Sequence, residues 1–335
     1  MKRYILIAVL IFGGLFNLLA QSKNTIEVKG FGFTLNGKPF FYTGVSFFNA
    51  IYNPTFNESD ASRRHWLNKL KSNGINVIRV WAQWDNGRGF VDGCATCSLY
   101  EKDGGIRQHH MNTLKKIIQA ADELEMVVLF VLFQRESWEE NIRLSDEASD
   151  KAVKAVTNEL KPFRNLVFQI WNEFDNRTLD YMKIIKASDA ARLVTNSPGY
   201  GGFLGRYEEN AALDYLSPHT TRRDDLQWEI APREIAYLME LFRKPVVDDE
   251  PARRGDTPKY GGPKNPTTPY DHILRIYNVW NVGGHVIYHH DMFQFGYGSP
   301  SVPPSGIPDP DFSSYHKVVF DFLAHRERYL SPINK

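Results

Sequence analysis

The strongest constraint on the fold is a repeat of eight short apolar runs, rich in β-branched and aromatic residues. The runs cover residues 41–47, 77–81, 127–133, 166–171, 193–196, 215–219, 245–249 and 285–290. Most are continuous rather than alternating, which is typical of strands buried on both faces of a parallel sheet. Helical patterns lie between and after them, at residues 60–71, 111–124, 148–160, 179–187, 207–212, 232–242, 270–280 and 313–330. This alternation predicts an α/β fold.

Two α/β architectures fit eight strands, a closed barrel and an open doubly wound sheet. An open nucleotide-binding sheet usually carries a glycine-rich phosphate loop after its first strand, but the segment from Gly44 lacks that spacing and no Walker A motif occurs. We therefore expect a (β/α)8 TIM barrel. The Asn36-Gly37 pair lies between short apolar segments, which favours a tight β-hairpin. This N-terminal hairpin is predicted to cover the barrel bottom.

Residues 1–20 are predicted to be a secretory signal peptide rather than part of the fold. Lys2 and Arg3 precede an apolar run that Asn17 alone interrupts, and cleavage is expected near Ala20. A membrane anchor is the less favoured reading, because a spanning helix needs about 20 apolar residues and no basic cluster follows. The expectation is a secreted or periplasmic protein with one catalytic domain over residues 21–335.

Composition narrows the function further. The 40 basic and 39 acidic residues nearly cancel, so no overall basic field favours nucleic acid. Export exposes Cys94 and Cys97 to an oxidising compartment, and the surrounding loop pattern favours a local disulfide over a redox motif or a zinc site. We expect a monomer without a cofactor, metal ion or membrane span.

Two glutamates directly follow predicted strands, Glu173 after the fourth and Glu250 after the seventh. Catalytic groups of a barrel lie at the carboxyl ends of its strands, so both are expected at one mouth. Glycosidic bond cleavage requires such a pair, one carboxyl as proton donor and the other as base or nucleophile. Asn172 could hydrogen-bond a sugar hydroxyl, and Arg79 could keep a carboxylate ionised because a nearby cation lowers its pKa.

These residues resemble the clan A retaining glycoside hydrolases, most closely the cellulase-like family 5. The motif Trp-Asn-Glu at residues 171–173 and a glutamate after Pro-Val-Val near the seventh strand carry the resemblance. Residues 36–39, residues 74–79 and His219 support it over nearly the whole chain after residue 20. The resemblance implies that Glu173 is the acid/base and Glu250 the nucleophile. It also implies that Arg79, Asn172 and His219 line the subsite at the cleaved bond.

The sequence departs from the family pattern in places that bear on the substrate. Threonines follow His219 where the family often has a tyrosine, and Tyr288-His289-His290 replaces a tryptophan at the eighth strand. Asp248 and Asp249 precede Glu250, and strand alternation predicts that Asp248 faces the same side as Glu250 and pairs with Arg79. Four residues are further candidates for binding an oligo- or polysaccharide: Trp84, Trp138, Tyr288 and His289.

Other readings remain open. A non-catalytic carbohydrate-binding barrel would lack one of the two glutamates from its cavity. A metal-dependent hydrolase is less favoured, because His289-His290-Asp291 alternate in direction along a strand. Arg135 and Arg222 follow the third and sixth strands and could read an anionic sugar, but acids are interleaved with such arginines and a solvated face explains them equally well. The favoured function is a secreted glycosidase that cleaves β-linked glycans with retention.

Overall fold

The computed structural model describes residues 22–85, 90–199, 202–222, 226–251, 267–295 and 306–330. The proposed signal peptide at residues 1–20 lies outside these ranges. A small antiparallel sheet begins the described chain, with strands β1 (Ile26–Lys29), β2 (Gly32–Leu35) and β3 (Lys38–Phe40). Leu35 pairs with Lys38, and Asn36 and Gly37 between them both adopt positive φ, as a two-residue hairpin turn requires. The predicted hairpin is confirmed.

The small sheet covers the bottom of a parallel barrel. Phe33 and Phe40 of the hairpin are buried in one cluster with residues from the first halves of the barrel strands, among them Val77, Val127 and Val247. Because these residues lie near the amino ends of their strands, the hairpin closes the end of the barrel opposite the predicted mouth.

Seven regular parallel strands build the barrel, in the order β8-β7-β6-β5-β4-β10-β9. Their bounds are β4 (Thr43–Ser46), β5 (Val77–Trp81), β6 (Val127–Gln134), β7 (Leu166–Asn172), β8 (Val194–Ser197), β9 (Val247–Asp248) and β10 (His285–Tyr288). All are buried along their whole length, which agrees with the continuous apolar runs that most of them contain. The (β/α)8 barrel predicted from the alternation is confirmed.

The sixth run is not a regular strand. Leu216 forms a single parallel bridge with Val246, and its neighbours contribute isolated backbone bonds that close the barrel between β8 and β9. Two local features accompany the lost ladder. Pro218 has no N–H to donate, and the Thr195 hydroxyl donates to the carbonyl oxygen of Tyr215 over 2.8 Å.

Helices surround the barrel and extend the predicted segments by a few residues. Their bounds are α1 (Asp60–Ser72), α2 (Gln108–Glu123), α3 (Arg135–Glu140), α4 (Asp146–Leu160), α5 (Thr178–Ser188), α6 (Tyr207–Ala212), α7 (Gln227–Phe242), α8 (Pro269–Asn281), α9 (Met292–Phe295) and α10 (Ser314–Ala324). The segment predicted to run to residue 330 ends at Ala324 and continues as a 3₁₀ turn, Arg326–Arg328.

The expectation that α7 starts at Pro232 is wrong, because the helix begins at Gln227 and holds the proline inside. A proline cannot donate to the carbonyl four residues earlier. Here that carbonyl belongs to Trp228, and the Asn278 side chain donates to it over 2.9 Å. A neighbouring helix thus replaces the missing bond, which sequence inspection could not reveal.

Cys94 and Cys97 form a disulfide in the loop after β5. Among the described helices, none combines the length and apolar character that crossing a bilayer would demand.

Candidate active site

The two glutamates meet at the carboxyl ends of the barrel strands. Glu173 directly follows β7, and Glu250 lies two residues after β9. One carboxylate oxygen of each glutamate and one ring nitrogen of His219 all lie within 4.8 Å of one another. Glu173 is 5% exposed and Glu250 is 1% exposed. The predicted pair is therefore close together and buried at the barrel mouth.

Backbone conformation helps to direct Glu173 into this space. Its φ is +60°, in the left-handed region that side chains other than glycine seldom adopt. Such conformations occur where surrounding contacts impose them, often at functional sites. The chain thus turns sharply at the end of β7 and places the carboxylate over the barrel mouth.

Arg79 organises the floor of the site. Its guanidinium, completely buried, donates to Gln169 Oε1 (3.0 Å), Asn172 Oδ1 (2.6 Å) and Glu250 Oε1 (3.2 Å). It also lies 3.0 Å from Asp249 Oδ2. One arginine on β5 therefore holds side chains of β7 and the two acids that follow β9 in fixed relation.

The pairing predicted for Asp248 is wrong. Asp248 accepts from Arg275 on α8 and from the Thr220 hydroxyl, so it faces the helices. Asp249 and Glu250 are the residues that contact Arg79. Strand alternation fails here because β9 ends at Asp248 and the chain bends at Glu250.

The two neighbouring acids differ in protonation. Burial raises the pKa of Asp249 to about 8, against the attraction of Arg79. Burial would also raise the pKa of Glu250, but its neighbours His219, His289, Arg222 and Arg79 hold that pKa well below its usual range. At neutral pH Asp249 is therefore largely neutral and Glu250 is ionised. Near pH 7, where His219 is uncharged, the guanidinium groups of Arg222 and Arg79 still favour the ionised form of Glu250.

His219 lies between the two glutamates. Burial lowers its pKa to about 4, so the ring is neutral near pH 7. Its Nε2 is 2.7 Å from Ser197 Oγ, and its Nδ1 is 3.6 Å from Glu173 Oε1. The Nδ1 atom makes no hydrogen bond to any group within the described part of the chain.

Arg222 and Arg135 belong to the site. Arg222 Nη2 is 2.7 Å from Glu173 Oε1, and its Nη1 is 2.7 Å from Glu250 Oε2. Arg135 Nη2 lies 2.9 Å from Glu173 Oε2 and 3.1 Å from Glu136 Oε1. Both side chains are buried, so the solvated-face reading does not hold for them. The sequence signal that could have assigned both arginines to the site was their position just after predicted strands.

A cavity of about 410 Å³ adjoins Glu173. Arg135, Asp175 and Phe203 are among the residues that line it. Phe203 is 38% exposed, and its backbone bridges to His219. The cavity thus offers an open aromatic face next to the proposed acid/base, whereas Glu250 is not among its lining residues.

The family model described as Cellulase (glycosyl hydrolase family 5) matches residues 33–211, slightly more than half of the 335 residues. This chain belongs to glycosyl hydrolase family 5. Membership places it among the glycosidases and agrees with the position of Asn172-Glu173 after β7. A search of curated protein sequences gives no match.

Solved structures share the family 5 fold. A glycoside hydrolase family 5 protein from Bacteroides vulgatus has 19% identity and a TM-score of 0.66, over 92% of this chain and 73% of that one. An endo-1,4-β-mannanase from Rhizomucor miehei has 14% identity and a TM-score of 0.57, over 91% and 99%. A second Bacteroides vulgatus protein, described as a glycoside hydrolase, has 17% identity and a TM-score of 0.66 over 84% of this chain. The protein described here, a family 5 chain, spans only 57% of the length of that second Bacteroides vulgatus protein.

Of the four further binding candidates, His289 alone lies at the site. Its Nδ1 is 3.1 Å from Ser46 Oγ, and its charge influences Glu250. Tyr288 points the opposite way, with its hydroxyl 2.8 Å from His316 Nδ1 on α10, because successive strand residues face opposite sides. The expectation of a substrate contact is therefore wrong for Tyr288.

The two loop tryptophans of this family 5 protein are packed rather than open. Trp84 is fully buried, with Phe48 and Phe90 stacked on its ring, and Trp138 packs edge-on against Trp171. Neither offers a sugar an uncovered ring face in this structure. Phe203 is the aromatic group that sequence inspection did not single out above the other loop aromatics.

Glu173, His219 and Glu250 also have the mutual spacing of a metal site. The donor set fits a cation poorly, because Arg222 contacts both carboxylates and Arg79 contacts Glu250. A divalent ion there would be repelled by these guanidinium groups. The geometry therefore favours acid–base chemistry over metal binding.

Proposed function

We propose that this family 5 protein cleaves a β-linked oligo- or polysaccharide with retention of configuration. The observation that carries the proposal is the close approach of Glu173 and Glu250, whose oxygens come within 4.8 Å. Retaining glycosidases place their carboxyl groups about 5–5.5 Å apart, whereas inverting enzymes need about 6.5–9.5 Å to admit a water molecule.

In this mechanism Glu250 attacks the anomeric carbon and forms a glycosyl-enzyme ester. Its lowered pKa supports this role, because the nucleophile must be ionised. Asp249 is a poor alternative, since its raised pKa keeps it largely neutral at pH 7. Glu173 donates a proton to the leaving oxygen and afterwards accepts one from the water that hydrolyses the ester. Asn172 and His219 are placed to bind hydroxyls of the reacting sugar.

The proposal extends to one catalytic domain over residues 21–335, exported after cleavage near Ala20 and active as a monomer. The test is a panel of defined β-linked glycans, including a β-mannan because a structural neighbour is named a mannanase. NMR should show the β-anomer as the first product. An initial α-anomer would refute retention, and binding without any hydrolysis would support a non-catalytic barrel.

A covalent trap separates the two candidate nucleophiles. A 2-fluoro glycoside of the sugar found active should add one glycosyl mass to the wild-type protein. Glu250→Ala should abolish the adduct because no carboxylate remains to attack. If Asp249→Ala abolishes it and Glu250→Ala retains it, the nucleophile assignment is wrong by one residue.

A further inference from the structure

Arg222 occupies the gap in which a sugar must react. Its two terminal nitrogens each lie 2.7 Å from a carboxylate oxygen, one on Glu173 and one on Glu250. A reacting anomeric carbon and its leaving oxygen must sit between the same two carboxylates. Substrate binding therefore has to displace the guanidinium group from at least one of them.

Displacing the Arg222 guanidinium costs free energy that contacts with a neutral sugar do not offset. Arg222 is buried, and separating a buried guanidinium from its partners leaves charges without compensation. A substrate group that carries its own negative charge would replace the lost carboxylate contact. The guanidinium could then follow that group to the side of the cleft.

The acid/base role points to the same chemistry. Arg135 and Arg222 both contact Glu173, and such contacts favour its ionised form. A general acid, however, must carry a proton when the leaving group departs. When Glu173 is protonated, two guanidinium groups lose part of their compensating charge. An anionic substrate group beside them restores that balance and leaves Glu173 free to be protonated.

We propose that the substrate is a β-linked glycan with a uronic acid next to the cleaved bond, and that Arg222, with Arg135, binds its carboxylate. This rests on the proposed glycosidase function and adds the substrate class to it. The planar guanidinium fork matches a carboxylate in two parallel hydrogen bonds. The cavity beside Glu173 places Arg135 close to the exposed ring of Phe203. Together they offer an ion pair and an apolar face, which an acidic sugar can use at once.

The first experiment compares charged and neutral substrates of identical linkage. Each β-linked polyuronide is compared with its carboxyl-reduced form. An aryl β-glucuronide is compared with the aryl β-glucoside, and an aryl β-galacturonide with the aryl β-galactoside. Loss of a charged hydrogen-bond pair predicts that kcat/KM falls roughly 10- to 100-fold on reduction of the carboxylate. An equal or higher kcat/KM on the neutral member of the active pair overturns the substrate proposal and leaves the glycosidase proposal intact.

The second experiment assigns the preference to Arg222. Arg222→Gln should lower kcat/KM on the uronide at least about 10-fold more than on its neutral counterpart, so that the ratio of the two kcat/KM values falls toward one. Arg222→Lys keeps the positive charge but lacks the planar guanidinium group, so it should retain part of the preference for the uronide. Arg233→Gln is the matched control, because Arg233 is an exposed arginine on α7 outside the site and its loss changes the net charge equally.

The outcomes separate the two proposals. A preference for uronides that survives in a folded Arg222→Gln protein overturns the role of Arg222. If Arg222→Gln does not fold, the wild-type comparison decides the substrate class. Hydrolysis of neither charged nor neutral glycans overturns the glycosidase proposal, and the substrate proposal with it.

Discussion

Replacing Arg79 with methionine tests how much the barrel depends on one buried cation. Methionine keeps an unbranched side chain but lacks the guanidinium, whose carbon lies 4.6 Å from the centroid of the Trp81 ring. It removes every hydrogen bond that Arg79 donates, including those to Gln169, Asn172 and Glu250. The variant therefore removes the charge, the donors and the contact with Trp81 while it keeps most of the side-chain volume.

The expected loss of stability is about 3–5 kcal/mol, the usual result of removing one partner of a buried pair. Glu250 is the main cause, because it stays buried with one guanidinium fewer near it. The loss is large beside a typical unfolding free energy of about 5–15 kcal/mol. Chemical denaturation at pH 7, followed by tryptophan fluorescence, measures it.

Catalysis should respond through the pKa of Glu250. Without Arg79 that pKa rises, because a positive neighbour that favoured the ionised form is gone. The nucleophile must be ionised, so the acidic limb of the kcat/KM profile should move to higher pH. Arg192→Met is the matched control. Arg192 is also buried and donates to the carbonyls of Leu160, Phe163 and Leu166, remote from the site. Arg192→Met should lower the free energy of unfolding and leave the pH dependence of kcat/KM unchanged. An Arg79→Met enzyme with wild-type stability, or with an unshifted acidic limb, would refute the reasoning.

Three further predictions follow from single residues. Glu173→Ala should lower turnover of natural glycans by about 10²–10⁴-fold, and azide should restore turnover of an activated aryl glycoside; absence of rescue argues against the acid/base assignment. Because burial raises the pKa of Asp249 to about 8, its protonated form is favoured on folding, so the stability that this carboxyl contributes is lost between about pH 4 and pH 8. The free energy of unfolding of the wild type minus that of Asp249→Asn should therefore decline across this range in denaturation curves, and a constant difference contradicts the shift. Gly74→Ala should lower the thermal midpoint, because Gly74 has φ +84° and a Cβ there would lie 2.4 Å from the Leu323 carbonyl oxygen; an unchanged midpoint would show that the backbone adjusts without cost.

Much of the barrel could be read from local patterns. A strand buried on both faces usually has a continuous apolar run, and such runs mark most of the regular strands of the barrel. The sixth run is apolar but forms only the single bridge between Leu216 and Val246, and Thr195, 20 positions before Tyr215, donates to one of its carbonyls. The start of α7 misled because Asn278 on another helix replaces the bond that Pro232 cannot make.

Part of the candidate site could be predicted from the sequence and part could not. Glu173 and Glu250 were predictable because a barrel collects the residues that follow its strands at one mouth. The side chains that surround those glutamates were not predictable. Whether Asp248 or Asp249 contacts Arg79 depends on where β9 stops, and whether Trp84 is open or covered depends on Phe48 and Phe90.

The sequence by itself determined the alternation of strand and helix, the Asn36-Gly37 turn and the placement of two glutamates after strands. These properties follow from backbone geometry and apolar periodicity, which act over a few neighbouring residues. Tertiary structure decided which charges meet. Arg79 contacts Glu250 across 171 positions of the chain, and Arg222 contacts Glu173 across 49. Such contacts depend on the closed barrel and on burial that strengthens them, and no local pattern encodes either.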